Sequence, residues 1–219
     1  MQIFLDSANL QEIESSLGFI DGVTTNPTLV AKELGTRDNK SVYAYYGKIL
    51  DLVNGPVSLE VTENEFDKMK EQANELNDLG DNVVVKVPAT STGINLVREE
   101  TDIKFNVTLV MNVYQAIAAG KAEATYVSPF LGRIDDFGEK GIGMLQDIKD
   151  TYDKFSIETE ILAASIRNID HVNQAIKIGV NCITVPYPIL KEMMIHLKTD
   201  EGLKKFMDDW NEPIHKGTI

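Results

Sequence analysis

Short β-rich runs alternate with longer amphipathic stretches along the whole chain. The predicted strands are Gln2–Asp6, Gly22–Asn26, Pro56–Val61, Asn82–Pro88, Lys104–Val110, Ala124–Pro129, Ile157–Ala164 and Asn181–Pro186. Several are almost unbroken apolar runs, such as Val83-Val84-Val85 and Cys182-Ile183-Thr184-Val185, which suits parallel strands covered on both faces. Between them the period changes to that of a helix. Glu63–Leu79 sets Phe66, Met69, Ala73 and Leu76 at spacings of three and four and stops at Gly80. Asn112–Glu123 and Ile169–Ile178 repeat the pattern, the second ending at Gly179. Asn39–Val53, Glu139–Tyr152 and Pro188–Trp210 are further predicted helices, with shorter ones near Leu10–Leu17 and Gly93–Thr101.

Eight strand–helix units without a Pro-, Gly- or Ser-rich linker predict one α/β domain, a (β/α)8 TIM barrel spanning residues 1–219. The chain's 219 residues fall somewhat below the roughly 250 usual for that fold. The alternative, an open doubly wound sheet, ordinarily has a glycine-rich turn after its first strand. Here that turn reads Asp6-Ser7-Ala8-Asn9. A barrel places its chemistry at the C-terminal ends of its strands.

Those ends carry a concentrated set of polar residues. The first ends in Asp6, the second in Thr24-Thr25-Asn26, and the third carries Glu60. Lys86-Val87-Pro88 closes the fourth, and the fifth contains Asn106 and Thr108. Ser128-Pro129-Phe130 closes the sixth with Arg133 following, and the seventh leads into Ser165-Ile166-Arg167. A buried polar group without a partner costs about 1–3 kcal/mol, so a ring of them around one barrel mouth suggests a site.

Lys86 follows three valines, and lysines are seldom fully buried without a partner. It is either half of a structural ion pair with Asp6 or Glu60, or an amine made nucleophilic by desolvation. A neutral amine forms a Schiff base with a ketone, and the iminium then accepts the electrons of a breaking C–C bond. Asp6 and Glu60 could supply the proton transfers of such a reaction, although either alone could serve ordinary barrel-end hydrogen bonding. Of the four arginines (Arg37, Arg98, Arg133 and Arg167), two follow consecutive strand ends. Guanidinium groups suit bidentate phosphate binding, with Ser165 as a further donor; the alternative is ion pairing with Asp135 and Asp136.

The chain is 43% hydrophobic and 25% charged, with 21 Lys plus Arg against 34 Asp plus Glu, a net charge of −13. Such a field repels polyanions, which argues against nucleic-acid and acidic-membrane partners, and it leaves any phosphate to local cations. Cys182 is the only cysteine, so no intrachain disulfide is expected. MQIFLDSANL lacks the pattern of a signal peptide, and the expected location is cytoplasmic. His171, His196 and His215 lack metal-ligand spacing, and Gly138, Gly141 and Gly143 do not follow a strand as dinucleotide binding requires. No metal or cofactor is expected.

The segments FLDSAN, GVTTNPTL, VVVKVPAT around Lys86, FNVTLV, VSPFLGRIDD and ILAASIRN, in this order on the expected strands, resemble the transaldolase family. The resemblance is to its small single-barrel subfamily, related to fructose-6-phosphate aldolase, and covers nearly the whole chain. It implies a metal-free mechanism with Lys86 as the Schiff-base residue and Asp6 as base for the donor's C4 hydroxyl. Glu60 and Thr108 would position a proton-relaying water. Asn26, Asn106 and Ser128 would hold the dihydroxyacetone moiety, and Arg133, Ser165 and Arg167 the phosphate. The aldolase branch is expected to carry Gln and Tyr where this chain has Glu60 and Phe130, so this pair looks like transaldolase.

The implied reaction moves a dihydroxyacetone unit from fructose 6-phosphate or sedoheptulose 7-phosphate to an aldose phosphate, a step of the non-oxidative pentose phosphate pathway. The alternatives are fructose-6-phosphate aldolase and a non-catalytic sugar-phosphate-binding barrel; two acids beside Lys86 argue against the latter. The family also implies a homo-oligomer, a pentamer or decamer. Its exchanged element would be the C-terminal helix and tail at 199–219, Thr199–Trp210 followed by Asn211–Ile219.

Overall fold

In the computed structural model, eight parallel strands pair in chain order and β8 returns to β1, closing a barrel. The strands are β1 Gln2–Asp6, β2 Gly22–Thr24, β3 Val57–Glu60, β4 Val83–Pro88, β5 Phe105–Val110, β6 Tyr126–Pro129, β7 Glu160–Ala163 and β8 Cys182–Val185. Eleven helices are present among the described residues, 1–35 and 38–212. They are α1 Leu10–Ser16, α2 Pro27–Leu34, α3 Asn39–Leu52, α4 Phe66–Asn77, α5 Ser91–Glu99, α6 Val113–Lys121, α7 Leu131–Asp136, α8 Gly141–Phe155, α9 Ile169–Ile178, α10 Tyr187–Glu192 and α11 Leu197–Asn211. None is long and apolar enough to cross a membrane. Arg37, His215 and residues 213–219 of the expected tail lie outside the described residues.

The period of two along each strand sorts the side chains between two environments. Leu5, Val23, Val57, Leu59, Val83, Val85, Val87, Val107, Val127 and Ile183 belong to the large core shared with the helices. The alternate positions face the barrel interior. There Phe4, Val84, Tyr126, Leu162 and Cys182 form a separate apolar cluster, with Phe4 and Tyr126 edge to face at 5.8 Å. One residue pair further along the same strands the inward positions turn polar: Asp6, Glu60, Lys86, Thr108, Ser128 and Thr184. The barrel therefore has an apolar plug at one end and a polar floor toward its C-terminal mouth.

Helix starts follow side-chain capping. Asn9, Asn26, Asp38, Thr90, Asn112 and Asn168 each accept a backbone N–H from the first turn of the next helix. α2 does not show as a periodic pattern, yet it has Asn26 as cap, Pro27 at its first position and Gly35 left-handed (φ 66°) at its end. α7 has only six residues and no side-chain cap, too short to display a period. The predicted helix Pro188–Trp210 is two helices, α10 and α11. His196 adopts an extended conformation between them, and its Nδ1 accepts the Lys198 N–H at 3.2 Å. α11 buries none of its residues and leaves Leu197, Leu203, Phe206, Met207 and Trp210 exposed.

Candidate active site

At the C-terminal mouth of the barrel lies a cavity of about 490 Å³, with Asp6, Asn26, Glu60, Lys86, Ser128, Phe130, Arg133 and Ser165 in its wall. They come from six of the eight strands and the segments that follow them, with Ser128, Phe130 and Arg133 all supplied by β6 and the residues after it. Lys86 stands opposite Glu60 on β3 and Asn106 on β5 in the strand registers. Its Nζ is 3.0 Å from Glu60 Oε2 and donates to the Thr25 carbonyl at 3.0 Å. The two side chains are only 6% and 14% exposed, so the charges face each other with little water between them. The nucleophile candidate and the ion pair proposed as its alternative are thus one arrangement.

Asp6 shares this mouth. Thr24 Oγ1 donates to Asp6 Oδ1 at 3.0 Å and is 2.6 Å from Thr184 Oγ1. Burial pushes the Asp6 carboxyl above its ordinary range, while the Lys86 ammonium and the Thr24 hydroxyl pull the other way. Asn26 caps α2 through its Oδ1, which accepts the Leu29 N–H at 3.0 Å, and the same residue lines the cavity.

Asn106 and Thr108 lie beneath the wall, fully buried. Ser128 Oγ donates to Asn106 Oδ1 at 2.7 Å, and Asn106 Nδ2 donates to Ser58 Oγ at 3.1 Å. Thr108 Oγ1 is buried without a hydrogen-bond partner. Between Val107 and Val110 the β5–β6 register shifts, and Leu109 is left-handed (φ 56°). This bulge turns Leu109 into the cavity wall, where simple alternation would face it outward. Ser165 is likewise left-handed (φ 55°) and lines the cavity. Two strained non-glycine backbones at one site fit a functional cleft.

The two arginines separate. Arg133 lines the cavity and makes no ion pair among the described residues. Arg167 is not in the wall; both its terminal nitrogens engage the carboxylate of Asp136, whose carboxyl is held below its ordinary range by that guanidinium. A Cβ at position 132 would lie 2.5 Å from Arg167 Nε, so Gly132 makes room for this side chain. The carboxylates suggested as partners for Arg133 are occupied elsewhere, Asp136 by Arg167 and Asp135 by His171 Nε2 at 2.9 Å. His171 is buried on α9.

Sequence reasoning passed over Ser58, Thr184, Thr28 and Leu109. Ser58 had a signal: it sits two residues before Glu60, on the same inward face.

The profile of the transaldolase/fructose-6-phosphate aldolase family matches residues 3–216. A probable transaldolase of Thermoplasma volcanium is 46% identical over 216 residues, covering 97% of this chain and 96% of that protein. Those of Thermoplasma acidophilum and Clostridium tetani are also 46% identical, over 223 and 214 residues, covering 100% and 96% of this chain and 99% and 98% of theirs. Among solved structures, a mandelate oxidase mutant with an FMN adduct aligns with a TM-score of 0.57 at 16% identity, covering 85% of this chain and 64% of that one. This last is a likeness of fold alone.

Proposed function

Given that the chain belongs to the transaldolase/fructose-6-phosphate aldolase family, we propose that it is a transaldolase moving a dihydroxyacetone unit from a ketose phosphate to an aldose phosphate through a Schiff base on Lys86. The observation that carries the reading is the buried Lys86 Nζ on the cavity wall, 3.0 Å from Glu60, with Asp6 at the same mouth. Nζ attacks the C2 carbonyl of fructose 6-phosphate or sedoheptulose 7-phosphate, and loss of water gives the iminium. Asp6 removes the C4 hydroxyl proton, the C3–C4 bond breaks into the iminium, and an aldose phosphate leaves. The enamine adds to the acceptor aldehyde, and hydrolysis frees Lys86. Glu60 and the unpartnered Thr108 hydroxyl hold the water that relays these protons.

Asn26, Asn106 and Ser128 hold the dihydroxyacetone moiety, and Arg133 and Ser165 hold the phosphate. Arg167 can add only the N–H groups that Asp136 leaves unused. With the net charge at −13, phosphate affinity depends on these short-range contacts and not on steering. Phe130 in the wall offers the enamine no proton, which favours transfer over release of free dihydroxyacetone.

The test is borohydride reduction with fructose 6-phosphate followed by mass spectrometry. A dihydroxyacetone-derived adduct on Lys86 is expected, and its absence sinks the mechanism. In Arg133→Ala, trapping should weaken with fructose 6-phosphate and not with fructose. Rapid release of free dihydroxyacetone without an erythrose 4-phosphate acceptor would make the protein the aldolase.

The same reading includes a homo-oligomer, supported by the exposed apolar residues of α11. Light scattering should give a mass several times the 24.3 kDa of one chain. A monomer would remove this part.

A further inference from the structure

The hydrogen bonds beneath the cavity converge on one residue that the mechanism does not use. Ser58 is 0% exposed and sits on β3 two residues before Glu60, facing the interior. Its hydroxyl accepts from Asn106 Nδ2 at 3.1 Å, and Asn106 Oδ1 in turn accepts from Ser128 Oγ at 2.7 Å. Asn106 lies on β5 and β4 runs between it and β3, so the Ser58–Asn106 bond crosses the inner face of β4, from the level of Val84 to that of Lys86. The carbonyl of Ser58 accepts both the backbone N–H of Thr25, at 3.0 Å, and its hydroxyl, at 2.8 Å. The carbonyl of Thr25 is itself the acceptor for Lys86 Nζ.

We propose that Ser58 is a positioning residue for donor selection: its hydroxyl holds the Asn106 amide, and through it Ser128, in the place that receives the donor's C1 hydroxyl. This rests on the reading above, in which Lys86 attacks C2 and Asp6 takes the C4 proton. Asp6 is on β1, so the C3–C4 bond points toward that side of the barrel. C1, on the other side of C2, then faces β5 and β6, where Asn106 and Ser128 stand. An asparagine amide is oriented only by its partners. Remove the Ser58 hydroxyl and a buried N–H loses its acceptor, which frees the amide to turn and Ser128 to follow.

The experiment measures kcat/KM for fructose 6-phosphate and 1-deoxyfructose 6-phosphate, with erythrose 4-phosphate as acceptor, in the wild type, Ser58→Ala, Asn106→Ala and the double variant. Ser58→Ala should lose about tenfold on fructose 6-phosphate and less than about twofold on the deoxy donor. Adding Ser58→Ala to Asn106→Ala should change nothing further. Ser58→Cys leaves no cavity, being slightly larger than serine, but is a weak acceptor, and it should show the same narrowed preference even if the alanine variant does not fold. Equal losses on both donors, full additivity, or a cysteine variant with wild-type preference would each overturn the proposal. Borohydride trapping on the wild type separates the two levels: without an adduct on Lys86 the mechanism itself fails. With the adduct present and donor preference unmoved, only the role of Ser58 fails.

Discussion

Lys86→Met should abolish turnover, lowering kcat by about 10⁴-fold or more, because the methionine keeps the apolar stem and removes the only atom able to form the imine. The same substitution should weaken the fold. Lys86 Nζ is the counter-charge of Glu60 and a donor to the Thr25 carbonyl, and both side chains of the pair are largely shielded from water. Losing one partner of a shielded pair leaves the other charge uncompensated, a penalty of up to about 3 kcal/mol here. Glu60→Gln added to Lys86→Met should recover most of that stability and none of the activity. Denaturation midpoints and turnover of the two single variants and the double variant measure both effects. A purely structural lysine would give the stability pattern with only modest loss of rate, so more than about 1% residual activity in Lys86→Met would exclude it as nucleophile.

The barrel could be read in the sequence because both sides of the strand alternation are recorded there. Val83, Val85 and Val87 mark the face toward the helices, and Val84 followed by Lys86 marks the interior. All observed strand ends fall within three residues of the expected ones, the widest difference being the start of β7 at Glu160 against Ile157. What stayed hidden had no period to detect. α7 is too short to show one, and the break at His196 is made by an extended backbone and an imidazole cap without proline or glycine. α2 had its whole signal in punctuation, Asn26-Pro27 at the start and Gly35 at the end, which a search for apolar spacing passes over.

The site was legible to the extent that its residues interrupt apolar strands. Lys86, Glu60, Asn106 and Ser128 all do so, and the fold brings them together. The arginines show where that signal stops. Arg133 and Arg167 look equivalent by position, each shortly after a strand end, but partner choice among neighbouring carboxylates is tertiary. Asp136 takes Arg167 across Gly132, and Asp135 takes His171, which leaves Arg133 to the cavity. Leu109 was equally unreadable, since one left-handed residue in β5 reverses the face to which it belongs.

Asp6→Asn should lower kcat by about 10³-fold and yet raise the melting temperature at neutral pH. Burial, the largest influence on the Asp6 carboxyl, pushes it up, and Lys86 and Thr24 only partly offset this. The folded chain therefore holds the Asp6 proton more tightly than the unfolded chain. Stability is undisturbed while both states are protonated, and it falls as pH rises from the ordinary carboxylate range through the raised value. Above that value the penalty is constant. Asparagine carries no such penalty, its Oδ1 can still accept from Thr24, and Lys86 keeps Glu60 as its partner. The variant's advantage in melting temperature should therefore be present at about pH 7.5 and close at about pH 4. The wild-type rate should show the matching acid limb, displaced above the ordinary carboxylate range, because the base works only when ionised. An advantage that widened toward acid pH would reverse the sign and mean that Asp6 is stabilised as a carboxylate. Asp6 would then be held in place by its charge partners at no expense to the fold.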